Sequence, residues 1–311
     1  MKGLGFSKEE VLPRYFEGKC EVMYSGPADV KRVVKARWPT SSKRDFGCLL
    51  LIGGSEVYSG APALASLAAL RTGTGLVVVA APEPVAGTIR GYSPNLIVHG
   101  LSGNVITVRH RDKLSRLLAS CTAVVLGPGI GVNPHTKEAI PSIVGMIAKT
   151  KKPLLIDADA LRAIAGRKEE FKRATPVITP HAGEFKAISG IDVASNWGGR
   201  LAIAEKFARQ YSCILVLKGH NTIVSDGHRS VVNRTGNPGM AVGGMGDVLS
   251  GVIGAFLAQN SDPFQAAVAG AYIHGFAGDL VRKRKGFHMV ASDLIEVLPQ
   301  VLRKFDRLDR R

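Results

Sequence analysis

The chain has 311 residues, 45% of them hydrophobic and 6% aromatic, with 41 Lys plus Arg against 25 Asp plus Glu and a net charge of +16. That length can form one large α/β domain or two small ones, and the lack of a Pro/Ser/Gly-rich linker, fixed-period repeat or low-complexity tract favours one. Part of the excess charge sits in Lys149–Lys152, Arg282–Lys285 and Arg303–Arg311, at expected helix ends and the C-terminus and with Phe305 as the single interleaved aromatic, which favours solvated faces over a nucleic-acid surface.

At the N-terminus, MKGLGFSKEEVLPRYFEGK lacks the continuous apolar stretch of a signal peptide, and the longest apolar segments elsewhere are interrupted by Arg71 or Asp247. A soluble, cytoplasmic protein with no membrane partner is expected. Cys20, Cys48, Cys121 and Cys213 show no C-x-x-C spacing, and the last three lie in or beside apolar runs, so they read as reduced core thiols.

From Cys48 onward, β-rich apolar runs alternate with segments of helical period. In order these are strand 48–52, helix Ala61–Arg71, strands 76–80 and 123–127, helix Thr136–Lys149, strands 153–159 and 176–180, helices Gly183–Ser189 and Gly199–Tyr211, and strand 213–219. This alternation predicts right-handed β-α-β units and a mainly parallel sheet with helices on both faces. Beyond Lys218 the pattern changes to a hairpin, Thr222–Ser225 and Arg229–Asn233 about an Asp226-Gly227 turn, and then to helices at 245–259, 263–284 and 291–304.

Functional loops of such a fold lie at the carboxyl ends of the parallel strands. Gly53-Gly54-Ser55, the turn Gly127–Gly131 (GPGIG), Asp157-Ala158-Asp159, Thr179-Pro180-His181 and Lys218-Gly219 all fall there. The densest glycine segment is Gly236–Gly251, GNPGMAVGGMGDVLSG, which opens an apolar helix. Its glycines bring backbone N–H groups close to a ligand, and a helix start adds unpaired donors and a positive dipole end, so a phosphate site is predicted. Asp247 on that first turn would repel phosphate unless it faces a hydroxyl that must lose its proton; otherwise it only complements the dipole.

Two familiar nucleotide loops are absent. There is no G-x-x-x-x-G-K-[ST], and Gly127-x-Gly129-x-Gly131 lacks the dinucleotide spacing. Asp157 with Asp159, or His181 with Glu184, are candidate metal ligands, but neither pair has a third partner, so no protein metal cage is expected. Asp159 also reads as a helix cap, and Thr179-Pro180 as a helix start with Pro near the first turn. That puts His181 over the strand ends, or else makes it a buried structural imidazole. Lys218 reads either as a phosphate contact or as a lysine snorkelling from a strand end.

Together, GGSEVYSGAPALASLAALRTGTGLV (53–77), GPGIG (127–131), DADAL (157–161), TPHAGEF (179–185), LKGHNT (217–222), the glycine segment and AYIHGFAGD (271–279) resemble the nicotinamide-nucleotide hydrate dehydratases. This is the carbohydrate-kinase-like half of a metabolite-repair pair. The resemblance implies a ribokinase-like α/β fold over residues 45–311, with residues 1–44 as an N-terminal extension. It implies removal of water from NADHX and NADPHX with ADP as co-substrate, ATP being the eukaryotic alternative, and with Mg²⁺ carried mostly by phosphates and waters.

Carried over by position, the resemblance implies that Ala61, Gly131, His181 and Asp247 touch the hydrate, with Asp247 as catalytic base. Lys218, Gly219, His220, Asn221 and Thr222, and the loop Asn237–Gly246 with Gly239, Met240, Gly243, Gly244 and especially Gly246, would hold the adenine nucleotide. Pro238 and Met245 depart from the expected loop, where a variable residue and usually Thr are found. A homo-oligomer, a tetramer by preference, is also implied. Many microbial members carry an N-terminal epimerase domain, for which the first 44 residues are too short, so a separate epimerase would be the functional partner. The competing readings are a ribokinase-like vitamin-precursor kinase and a basic nucleic-acid-binding protein.

Overall fold

A computed structural model describes residues 23–309. The N-terminal segment scanned above for a leader, Cys20 and the last two arginines lie outside the described residues. The described residues begin with β1 (Met23–Tyr24) and α1 (Pro27–Val33), then run through β2 (Cys48–Ile52), α2 (Gly60–Arg71), β3 (Leu76–Pro82), α3 (Glu83–Tyr92) and β4 (Ile97–Leu101). They continue with α4 (Arg111–Ser120), β5 (Ala123–Leu126), α5 (Pro134–Ala148), β6 (Leu154–Ile156), α6 (Asp159–Ile164), α7 (Glu170–Ala174) and β7 (Val177–Ile178). There follow α8 (Ala182–Ser189), α9 (Trp197–Tyr211), β8 (Ile214–Leu217), the hairpin β9 (Thr222–Ser225) and β10 (Ser230–Asn233), then α10 (Met245–Ala258), α11 (Pro263–Lys285) and α12 (Ala291–Leu302).

These strands form one ten-stranded sheet in the order β1-β10-β9-β8-β7-β6-β5-β2-β3-β4. Strands from β8 to β4 pair in parallel, and only β9 runs antiparallel to both of its neighbours, β8 and β10. The near-continuous apolar runs of the central strands follow from burial on both faces. Leu49, Leu51, Val77, Val79 and Val125 pack under α1, α2, α3, α10, α11 and α12, while Leu50, Ile52, Val78, Val124 and Leu126 pack under α4, α5, α6, α7, α8 and α9. The two-residue side-chain period of a strand alone accounts for that division.

Three elements of the left half were not expected from the sequence. β4 is an edge strand with one neighbour, and its exposed Ile97 and its His99-Gly100 dilute the apolar signal. Helix α3 contains Pro84, Gly87 and Gly91, which weaken helical propensity, and α4 is largely polar around Leu114 and Leu118. At the other edge, β1 pairs in parallel with β10, and Val30 and Val33 of α1 join the same core as α11. The basic run Arg282–Lys285 forms the last turn of α11, where cations complement the dipole.

Candidate active site

The loops after β2 and β5 pack directly on one another. Gly54 N donates to the Pro128 carbonyl at 2.9 Å. At Gly129, with φ +64, a Cβ would lie 2.8 Å from Tyr58 Cβ and 3.1 Å from Ala61 Cβ, so only glycine permits the approach. Ala61 and the GPGIG turn are thereby neighbours, and Gly131 sits against Ser55.

Between β6 and β8 the strand ends carry a charged cluster. Asp157 is 1% exposed; its Oδ1 accepts from Lys218 Nζ at 3.1 Å and its Oδ2 from Ser250 Oγ at 2.7 Å. The same ammonium is 3.5 Å from Glu184 Oε2. Burial opposes the Lys218 charge, but Asp157 and then Glu184 outweigh it, so its pKa is raised above the ordinary lysine value. Arg200 of α9 fixes the backbone behind this lysine, donating from Nη2 to the Leu217 and Lys218 carbonyls at 3.3 and 3.2 Å.

His181 is the N-cap of α8, with Nδ1 accepting from Gly183 N at 3.0 Å and Glu184 N at 3.3 Å, while Glu184 Oε2 accepts from His181 N at 2.8 Å. Half of its side chain is exposed, at 51%, so the buried structural imidazole is not found: a capping ring must stay at the helix surface. Pro180 consequently precedes the cap rather than opening the helix. Nor does Asp159 cap α6. The N-cap there is Ala158, at φ +53 and ψ −132, a costly conformation for a residue with a Cβ, and it presents Asp157 and Asp159 on either side.

Gly244, at φ +88, is the N-cap of α10 and supplies no side chain to that helix start, so the first-turn N–H groups stay open for a ligand. Asp247 stands on the same turn, and its carboxylate makes neither a hydrogen bond nor a salt bridge with any described residue. Its pKa is raised to about 7, first by burial and then by the Asp157 carboxylate, with Lys218 opposing and Glu184 and Asp159 adding. A Cβ on Gly246 would lie 3.2 Å from Lys218 Nζ, which shows how closely the helix start approaches the ammonium.

The glycine loop itself is held by α11. Asp279 accepts from Gly236 N and from Asn237 Nδ2, both at 3.0 Å, and Asn237 Oδ1 accepts from Gly239 N at 3.1 Å. Further along, His274 Nε2 donates to the Met245 carbonyl at 2.9 Å; burial pushes this imidazole down to about 4, so it is neutral and carries the proton on that nitrogen.

Lys218, Gly246, Asp247 and, through Glu184, His181 therefore converge, and the turn that packs on Ala61 through Gly129 starts at Gly127, against the Asp157 carbonyl. By contrast, His220, Asn221 and Thr222 sit on the β8–β9 turn, where Thr222 Oγ1 bonds Gly219 O at 3.1 Å, and the stretch from Asn237 to Met240 lies on α11. Sequence reasoning missed Arg200, Ser250, His274 and Asp279. Ser250 had a signal, three residues after Asp247 on one helix face, and His274 and Asp279 lay inside a recognised block; Arg200 had none.

The profile of the NAD(P)H-hydrate dehydratase family matches residues 49–300. The chain belongs to this family. Among dehydratase-family relatives it is 43% identical over 280 residues to a bifunctional NAD(P)H-hydrate repair enzyme of Pyrobaculum aerophilum, covering 90% of this chain and 55% of that one. It is 37% identical over 286 residues to an ADP-dependent (S)-NAD(P)H-hydrate dehydratase of Cenarchaeum symbiosum, covering 91% of this chain and 98% of that one. The chain thus spans about half the length of the bifunctional members and nearly all of the shorter one.

A solved family structure, the Bacillus subtilis ADP/ATP-dependent NAD(P)H-hydrate dehydratase co-crystallised with ATP and Mg²⁺, superposes with a TM-score of 0.77 at 28% identity, covering 92% of this chain and 99% of that one. The ribokinase-like fold is thereby shown. A hydroxyethylthiazole kinase from Pyrococcus horikoshii, at 17% identity and TM-score 0.59, shares the fold alone, so the vitamin-kinase reading is not favoured over the dehydratase family. Among the described residues no helix is long and apolar enough to cross a membrane, and no group of three or more His, Cys, Asp or Glu side chains is arranged to hold a metal.

Proposed function

We propose that this chain dehydrates (6S)-NADHX and (6S)-NADPHX to NADH and NADPH at the expense of ADP, releasing AMP and phosphate, in the cytoplasm and with a separate epimerase supplying the S epimer. Residues 45–311 carry the activity, residues 1–44 extend it, and the assembly is a homo-oligomer, a tetramer by preference. One observation carries the reading most: Asp247, a carboxylate without a hydrogen-bond partner and with its pKa raised to about 7, stands at the head of a glycine loop beside a charged lysine.

Hydroxide is a poor leaving group, so the ring hydroxyl is first phosphorylated. Asp247 takes the proton of that hydroxyl as its oxygen attacks the terminal phosphorus of ADP, and AMP leaves. The ring nitrogen lone pair then expels phosphate, and loss of a ring proton restores the dihydronicotinamide. Lys218 and the open N–H groups of Met245, Gly246 and the loop before them stabilise negative charge on the transferred group. His181, Ala61 and Gly131 border the hydrate, while Lys218–Thr222 and the Asn237–Gly246 loop border the nucleotide.

The donor set fits Mg²⁺ entering with the nucleotide. Asp157 and Glu184 are hard oxygen ligands, but Lys218, Ser250 and His181 N already engage them, so phosphates and waters would hold most of the ion, which would neutralise phosphate charge. Purified protein supplied with NADHX and either ADP or ATP tests the proposal directly. Return of dihydronicotinamide absorbance with stoichiometric inorganic phosphate supports it; a stable phosphorylated product, or no turnover with either nucleotide, overturns it.

A further inference from the structure

At the opposite, amino-terminal edge of the sheet, two thiols face one another. Cys48 opens β2, and Cys121 is the C-cap of α4, directly before β5. Their backbones are stitched together by Thr122, whose N donates to the Cys48 carbonyl at 2.7 Å and whose Oγ1 accepts from Cys48 N at 3.0 Å. The two Sγ atoms are 3.0 Å apart, and the residues are 7% and 2% exposed. That separation is about 1 Å beyond a covalent S–S bond, so closure needs side-chain rotation and little backbone movement. Cys213, also buried before a strand, has no such neighbour among the described residues.

We propose that Cys48 and Cys121 form a redox-active dithiol that closes into an intramolecular disulfide, locking the base of β2 to the α4–β5 junction. The oxidant is a low-molecular-weight disulfide, RSSR. Cys121, as the thiolate, attacks one sulfur of RSSR; that S–S bond breaks and the first RS⁻ leaves, taking up a proton to give RSH. Cys48 then loses its proton and attacks the Cys121 sulfur of the mixed disulfide, expelling the second RSH. Two protein thiols are oxidised, one external disulfide is reduced, and two RSH are produced.

The order of attack follows from the surroundings. Either thiol can donate across this contact; with Cys48 as the donor, the bond, with further help from Ser120 and the Lys152 ammonium, holds the Cys121 thiol below its ordinary value against burial. Lys152 is anchored there by donating to the Leu118 and Ala119 carbonyls in the last turn of α4. Attack by an external reagent therefore requires local opening of that terminal turn and release of the Lys152 contacts. The bond would close a long loop, residues 48–121, and so restrict the unfolded chain strongly. It lies away from the strand ends that bear Asp247, so closure changes stability and leaves turnover unaltered.

The test is to equilibrate the reduced full chain with oxidised glutathione, block remaining thiols with a maleimide in denaturant, and map the peptides without reductant. The expected result is a Cys48–Cys121 linked peptide, both residues protected from the maleimide, and a thermal midpoint about 5–10 °C higher that dithiothreitol reverses. Cys121→Ser and Cys48→Ser should lose the shift; Cys20→Ser and Cys213→Ser should keep it. Full alkylation of both cysteines, or glutathione adducts without the linked peptide, overturns the proposal. If the serine variants do not fold, the wild-type peptide map decides alone.

Discussion

Lys218 Nζ lies 3.1 Å from Asp157 Oδ1, although the two residues end strands separated by β7. One ammonium is thus pinned among Asp157, Glu184 and Asp247. Breaking such a pair from one side leaves an uncompensated charge in a poorly solvated site, whose cost exceeds the net worth of the pair itself. Activity and pH dependence should therefore respond to each member in a different direction.

Asp247→Asn removes the proposed base and keeps the shape. Turnover should drop by a factor on the order of 10² or more while nucleotide binding, measured by calorimetry, persists. Because the wild-type carboxyl has its pKa raised on folding, its ionisation costs stability as pH rises through about 7, and the variant escapes that cost. Its thermal stability above pH 7 should exceed the wild type by on the order of 2 kcal/mol after discounting for partial exposure. Near-normal turnover would remove the role assigned to Asp247.

The acid limb of the turnover profile should have its midpoint near pH 7, set by Asp247, with activity falling about tenfold per pH unit below it. Asp157→Asn deletes the strongest charge that raises Asp247, so the limb should move to lower pH. Replacing Lys218 by Met removes the opposing cation and should move it to higher pH. Profiles of the two variants that coincide would refute the electrostatic account.

Asp279 holds Gly236 and Asn237 of the loop proposed to border the nucleotide, so it should act on binding and not on the chemical step. Asp279→Ala forfeits two charge-assisted hydrogen bonds, each worth about 1.5–3 kcal/mol. The KM for ADP should rise at least tenfold with turnover at saturation little changed, and Asp279→Asn should recover part of it. An equal loss in both parameters would instead indicate a damaged fold.

Gly246→Ala separates stability from binding. Alanine is the better helix former by about 1 kcal/mol, so the melting temperature should hold or rise. Its Cβ, however, would press on Lys218 Nζ at 3.2 Å and intrude where phosphate is proposed to approach, so ADP affinity should fall. Calorimetric titration beside a thermal melt checks both halves.

Much of the sheet was legible because fully buried parallel strands leave unbroken apolar runs and their loops carry glycine and polar punctuation. β4 and α3 escaped because an edge strand needs only one good neighbour and a helix packed on a sheet tolerates Pro84, Gly87 and Gly91. Within the candidate site, the glycine loop, Lys218, His181 and Asp247 stood out through local patterns expected of phosphate binding and helix starts.

What the sequence determined by itself was the set of local structures and the family blocks, since periodicity, turn chemistry and capping act over a few residues. Tertiary structure alone decided which charges meet. Asp157 and Lys218 are 61 positions apart, Asp279 reaches back 42 residues to Asn237, and Arg200 reaches Lys218 from another layer. The pKa of Asp247 depends on those encounters, because burial and neighbouring charge are properties of the folded edge and leave no pattern along the chain.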